Sequence, residues 1–129
     1  MIALRYFNPV GAHESGLLGD DPSDFPTNLI PCVQEAIIGK RPIFKVFGND
    51  YETPDGSGVR DFIHITDLGK LWFIIARAHV SAFKKLDELK PGTEVYNVGT
   101  GKGHSVLEVI AGFEKVLGEP IKKEIVGRR

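Results

Sequence analysis

Apolar and polar positions fall into short runs of two kinds, alternating and helically spaced, with one long polar interruption near the start. Residues 2–7 (IALRYF) alternate weakly and are rich in β formers, which predicts a strand. Residues 8–28 are dense in Gly, Pro, Asp and Ser and predict a long loop of the kind that serves as a binding loop or lid. Residues 29–40 carry apolar side chains at 29, 30, 33, 36 and 37, helical spacing that ends at Gly39, with Asn28 as N-cap and Pro31 in the first turn. Residues 43–48 predict a strand with Phe44 and Val46 on one face and Ile43, Lys45 and Phe47 on the other.

A turn-rich loop (49–58) follows, then a strand over 59–65 and a helix over 67–86 that is apolar in its middle and weakened at Gly69. Residues 95–99 read as a strand and 99–104 as a turn. Ser105 and Glu108 have capping-box spacing before a helix that ends at Gly118, and the chain closes on a strand and an arginine pair. The order is strand, long loop, helix, strand, strand, helix, strand, helix, strand: a mixed α/β chain.

Composition narrows the function classes. Within 129 residues, 42% are apolar, enough for a core, and the formal net charge of −1 argues against a general nucleic-acid or membrane-surface binder. No apolar run reaches the roughly 18–20 residues of a membrane span, and the N-terminus lacks the pattern of a secretory signal. The single cysteine, Cys32, permits no internal disulfide and agrees with a reducing, cytoplasmic setting. The four histidines and Cys32 show no metal-ligand spacing.

Candidate chemistry sits where loops meet elements. Arg60 stands at the mouth of a strand beside glycines, a place for a fixed charge that awaits an anion. Asn8, before Pro9, is pushed away from helical geometry at a strand's carboxyl end, where it reads as a ligand donor or as a turn asparagine. Asn28 reads equally as a cap and as an amide donor at a helix start. Phe47 offers a flat face but is of a type more often found in cores. Gly99-Thr-Gly-Lys-Gly103 lies between strand and helix, as a phosphate-binding loop would, yet its spacing matches neither the dinucleotide fingerprint nor the P-loop; it reads as a tight turn. His64 reads as a structural histidine, the Asp20, Asp21, Asp24 cluster as a solvated turn, and Arg128 and Arg129 as a solvated end.

Taken in order, LRYFNPVGAH, PTNLIPCVQEAIIGKR, FGNDYETPDGSGVRDFIHITDL, YNVGTGKGHSVLEV and GRR resemble the nucleotide-sugar epimerases of the extended short-chain dehydrogenase/reductase family over essentially the whole chain. The resemblance implies an extended Rossmann-type α/β fold. It implies NAD as cofactor, UDP-glucose and UDP-galactose as the substrate pair, and a homodimeric parent. Carried over by motif, Tyr6 lies near the nicotinamide, and Tyr6, Phe7 and Asn8 line the substrate. Thr27, Asn28 and Leu29 approach the diphosphate and nucleoside, Phe44, Lys45, Val46 and Phe47 belong to the uracil pocket, and Arg60 and Arg129 grip phosphate. Thr27 stands where the family usually has asparagine, and Lys45 where a smaller residue is common. No tyrosine here has a lysine four positions later, so the family's Tyr-x-x-x-Lys pair is missing and no catalytic residue is assigned. Residues 1–129 are therefore expected to form the substrate-binding part of an NAD-dependent epimerase/dehydratase domain, with flanking strands of its parallel sheet and without the dinucleotide-binding part, and to be inactive alone. Two alternatives stay open: another NAD-dependent nucleotide-sugar epimerase or dehydratase, and a free-standing nucleotide-binding module.

Overall fold

The computed structural model describes residues 1–20, 25–66, 80, 82–85 and 92–129. Most of the helix expected over 67–86 lies outside these residues. The chain forms two compact units: residues 1–20 with 61–102, and residues 21–60 with 103–129. Among the described residues no helix is long and apolar enough to cross a membrane.

In the first unit, β1 (Ile2–Tyr6) pairs in parallel with β5 (Glu94–Val98), from Ile2 opposite Glu94 to Tyr6 opposite Val98. The next residues were expected to be loop. They form instead a three-residue strand, β2 (Asn8–Val10), parallel to β4 (Val59–His64), with Asn8 opposite Phe62. The Asn-Pro-Val-Gly punctuation hid it, because proline cannot donate to a ladder but is tolerated where no donor is needed from it. Phe7 is thus the residue at which the chain changes partner, and its N–H still donates to the Val98 carbonyl at 3.0 Å. Past β2, Gly11 has φ +88, and the His64 ring lies in the space where a side chain at 11 would stand. His64 Nδ1 accepts from the Thr66 N–H at 3.1 Å and pairs with the Thr66 hydroxyl at 2.6 Å, which fits the structural role read from sequence.

Among the described residues the larger core lies in the second unit. Helix α1 (Leu29–Ile37) buries Cys32 and Val33, helix α2 (Val106–Leu117) buries Ile110, and β3 (Phe44–Phe47) buries Phe44 and Val46; Ile121 joins them, with Leu29, Ala36, Ile37, Val106, Leu107 and Phe113 packed around. Strand β3 pairs in parallel with β7 (Lys123–Val126), Phe47 opposite Val126. The alternation expected for β3 is present: Phe44 and Val46 point inward, Lys45 and Phe47 outward.

Helix α2 begins on a closed polar network. A short strand, β6 (Gly103–Ser105), occupies what was read as the end of a turn. Ser105 completes the capping box, its hydroxyl accepting from the Glu108 N–H at 3.0 Å while the Glu108 carboxylate accepts from the Ser105 N–H at 2.9 Å. The Val106 N–H donates to the Gly58 carbonyl at 3.0 Å and the Leu107 N–H to the Ser57 hydroxyl at 3.3 Å. Asp55 ties the loop to this helix start: its carboxylate accepts from the Ser57 N–H and hydroxyl, both at 2.8 Å, and from the Ser105 hydroxyl. At the other end Gly118, at φ 78, ends α2, and Glu114 accepts from the Ile121 N–H at 2.9 Å and from Lys123 at 2.6 Å, aligning the entry to β7.

Two outcomes follow for stability. Replacing Ile110, fully buried, with alanine lowers the unfolding free energy by roughly 2–5 kcal/mol, and Ser105→Ala by about 1–2 kcal/mol, read by urea denaturation; an unchanged midpoint for either contradicts the packing described. The Ser105 hydroxyl holds the Asp55 carboxyl below its usual range, and Lys123 does the same for Glu114. Because folded-state values lie below unfolded ones, the unfolded chain takes up protons first. The melting temperature should hold down to about pH 5 and fall as the pH drops through the carboxylate range. In Asp55→Asn that slope should be shallower; an unaltered slope removes Asp55 from the account.

Candidate functional site

The start of α1 contrasts with the start of α2. Asn28 sits at the N-cap position with extended backbone (φ −74, ψ 149), but its side chain makes no capping hydrogen bond. It is exposed. The first intrahelical bond runs from the Cys32 N–H to the Asn28 carbonyl at 3.2 Å. The N–H groups of Leu29 and Ile30 have no acceptor among the described residues, and Pro31 has none to satisfy. The expectation of a simple cap therefore fails at the side chain: the position is right, the bond is not made. An uncapped start presents donors and the positive end of the helix dipole.

The segment before α1 is pinned from the helix's far end. Arg41 forms an ion pair with Glu35 (2.8 Å) and also donates to the Pro26 carbonyl at 3.4 Å, which accepts in addition from the Cys32 thiol at 3.1 Å. Burial pushes the Cys32 thiol up; Arg41 and, more weakly, Arg129 pull it down. The Arg129 guanidinium is thus within electrostatic reach of the first turn of α1.

The terminal arginines have different partners. Arg128 is paired with Asp50, Nε to Oδ1 at 2.7 Å, donates to the Asp50 carbonyl, and lies 4.2 Å from the Tyr51 ring centroid. Gly48 makes room for it, since a Cβ there would stand 2.7 Å from the Tyr51 ring and 2.9 Å from the Arg128 stem. The Arg128 bond holds the Asp50 carboxyl below its usual range. Arg129 instead stacks 4.1 Å from the Phe47 ring centroid and has no carboxylate partner among the described residues. The structure thereby brings Phe47 and Arg129 together. Lys45 shares the outward face of β3 with Phe47, whereas the Phe44 and Val46 side chains are committed to the core. Thr27 is exposed and Leu29 half-buried at the start of α1.

Arg60 lies at the mouth of β4, exposed, its Nη1 donating to the Val59 carbonyl at 2.7 Å, with no carboxylate partner among the described residues. Its neighbour in sequence answers the question raised by the glycine turn. The Asp61 carboxylate accepts from the Thr100 N–H at 3.0 Å, the Thr100 hydroxyl at 2.6 Å and the Gly101 N–H at 2.8 Å. The turn does present its amides to an anion, but that anion is internal. A Cβ at Gly99 would stand 2.5 Å from both the Asp61 carboxylate and the Phe7 ring. Sequence reading passed over Asp61; the signal available was a lone carboxylate one residue past Arg60, on the opposite strand face, in a chain that also contains an amide-rich turn. Tyr6, exposed at the end of β1, half-buried Phe7 and exposed Asn8 follow one another at the partner switch of the first unit.

Known proteins resemble this chain in sequence and fold. Residues 1–99 match the NAD dependent epimerase/dehydratase family. The UDP-glucose 4-epimerase of Dictyostelium discoideum is 54% identical over 128 residues, 99% of this chain and 35% of that protein. The crystal structure of UDP-glucose 4-epimerase from Bifidobacterium longum in complex with NAD+ and UDP is 51% identical and superposes with a TM-score of 0.76 over 99% of this chain and 36% of that one. That from Stenotrophomonas maltophila, with bound NAD and formylated UDP-arabinopyranose, is 46% identical with a TM-score of 0.76, again over 99% and 36%. The chain spans about a third of the length of the relatives it matches. Its parallel strand pairs are those of a Rossmann-type epimerase, as the sequence led us to expect. With the family match running through most of its length, the chain belongs to the NAD dependent epimerase/dehydratase family.

Proposed function

We propose that the chain carries the nucleotide-gripping part of a UDP-glucose 4-epimerase, as one partial epimerase/dehydratase domain. The observation that carries this reading is the Arg129 guanidinium stacked on Phe47 at 4.1 Å without a carboxylate partner among the described residues; the uncapped start of α1, whose Cys32 lies within reach of the Arg129 charge, supports it. A diphosphate supplies the acceptor that Arg129, the Asn28 amide and the first N–H groups of α1 lack. Phe47 and Lys45 wall the uracil from the outer face of β3, with Phe44 and Val46 contributing backbone alone. Thr27 and Leu29 flank the helix start. Arg60 is assigned to phosphate as well. In the first unit, Asn8 is assigned to the diphosphate and Tyr6 and Phe7 to the hexose, at and just past the carboxyl end of β1, the end of a parallel strand at which α/β sheets bind ligands.

The activity proposed for the whole protein is the interconversion of UDP-glucose and UDP-galactose at C4 with NAD. The crystal structures of the relatives, one with NAD+ and UDP and one with NAD and formylated UDP-arabinopyranose, support it. This chain's own residues do not fit the dinucleotide: the glycine turn between β5 and β6 is filled by Asp61, and the 129 residues contain no Tyr-x-x-x-Lys pair. Tyr6 is the one residue assigned near the nicotinamide. The chain's share is anchorage. Binding energy from the nucleotide, remote from the reacting carbon, holds UDP while the hexose presents either face. The reading extends to a cytoplasmic homodimer without nucleic-acid or membrane partners; the charge of −1 and single cysteine support the setting and the family resemblance the dimer.

Titration calorimetry with UDP tests the site. Arg129→Ala should lose about 10- to 100-fold in affinity, whereas Arg128→Ala, whose charge Asp50 already neutralises, should stay within about threefold. Equal losses from both would sink the assignment. Asn28→Ala should weaken UDP binding while costing less than about 0.5 kcal/mol of stability, because no cap bond is lost. A stability loss near that of Ser105→Ala, with UDP affinity unchanged, would return Asn28 to a purely structural role.

A further inference from the structure

The first unit contains a fork. Strand β1 runs beside β5 up to Tyr6 opposite Val98, and two residues later β2 runs beside β4 from Asn8 opposite Phe62. Between them Phe7 belongs to neither pairing, though its N–H still reaches the Val98 carbonyl. No ladder joins β4 to β5 directly; β4 instead pairs with β6, which the chain reaches only after the turn that follows β5. Asp61 ties β4 to that intervening turn. It lies one residue before Phe62 on β4, and its carboxylate takes three donors from Thr100 and Gly101, just past the end of β5. The two oxygens divide the work: Oδ1 takes the Thr100 N–H and hydroxyl, Oδ2 the Gly101 N–H. Gly99 is squeezed between this carboxylate and the Phe7 ring, with no room for a Cβ on that side.

We infer that Asp61 is a positioning residue for the hexose end of the substrate: by closing the fork between β4 and the 99–101 turn it fixes the Phe7 ring, and with it the direction in which Tyr6 and Asn8 leave their strands. The inference rests on the proposed assignment of Tyr6, Phe7 and Asn8 to the UDP-sugar, but the tie itself does not. A carboxylate suits the place because the Thr100 N–H, the Thr100 hydroxyl and the Gly101 N–H are all donors. Asparagine at 61 has nearly the same shape, yet its amide nitrogen would confront the Gly101 N–H, donor against donor. The same carboxylate also explains why the turn cannot serve a phosphate: its amides are already engaged.

The tie is tested without ligand by NMR on the wild-type chain. The Thr100 and Gly101 amide protons should follow protonation of the carboxylate as the pH is lowered, and should stop doing so in Asp61→Asn; amides indifferent to pH in the wild type overturn the tie. Its role is tested by calorimetry with UDP-glucose and with UMP, which lacks both the hexose and the phosphate that joins it to the nucleotide. Asp61→Asn should lose about tenfold or more for UDP-glucose while UMP affinity stays within about twofold. Parallel losses for both, with a lowered melting temperature, would make Asp61 merely structural and overturn the inference, as would unchanged affinity for both. A wild-type chain that binds neither nucleotide would overturn the site assignment itself, and this inference with it. Gly99→Ala, which drives a methyl between Phe7 and Asp61 with the carboxylate intact, should reproduce the selective loss for UDP-glucose; wild-type affinity in that variant also counts against the inference.

Discussion

Backbone N–H groups that cluster at a helix start or a glycine turn require an acceptor, and this requirement organises the molecule. At α2 the chain answers it with Ser105, Ser57, Gly58 and, behind the two serines, Asp55. At the 99–101 turn it answers with Asp61. At α1 it gives no answer among the described residues: Asn28 occupies the capping position without capping. Three amide clusters of similar chemistry thus end in two different states, closed and open. The open one is the place at which an outside anion gains most, because no internal group has to be displaced.

Arginine follows the same division. Arg41 is held by Glu35 and Arg128 by Asp50, and each braces a neighbouring segment: Arg41 the chain before α1, Arg128 the loop around Tyr51. Arg60 and Arg129 have no such carboxylate among the described residues. Paired guanidinium groups stiffen a scaffold, and unpaired ones near a flat ring are available to a ligand. The adjacency of Arg128 and Arg129 makes the contrast sharp, since one residue of separation turns the first toward Asp50 and the second toward Phe47.

Much of the fold was legible because the local signals agreed with the tertiary ones. The apolar spacing of α1, the alternation along β3 and the Ser105–Glu108 box each have one physical reading, and the structure contains all three. The two short strands were not legible, since three residues with proline or glycine among them carry no periodicity; their pairing comes from β4, far away in sequence. The site was legible in type and not in geometry. Strand alternation placed Phe47 outward, but nothing local distinguishes Arg129 from Arg128, or shows that Asn28 leaves its cap bond unmade. Asp61 showed as a carboxylate next to Arg60, but its partners did not show: they lie about forty positions on, and only the fold brings them near.

Cys32 is the chain's lone thiol, and it lies at 8% exposure, donating to the Pro26 carbonyl with burial opposing its ionisation. Alkylating reagents attack thiolates at accessible sulfur, so the native sequence offers them almost no target. A cysteine introduced at a surface position would then be the sole handle for a fluorophore or spin label, with no background from the wild-type side chain. The surroundings of the fork and of the α1 entrance can be monitored by such reporters in an otherwise unaltered polypeptide.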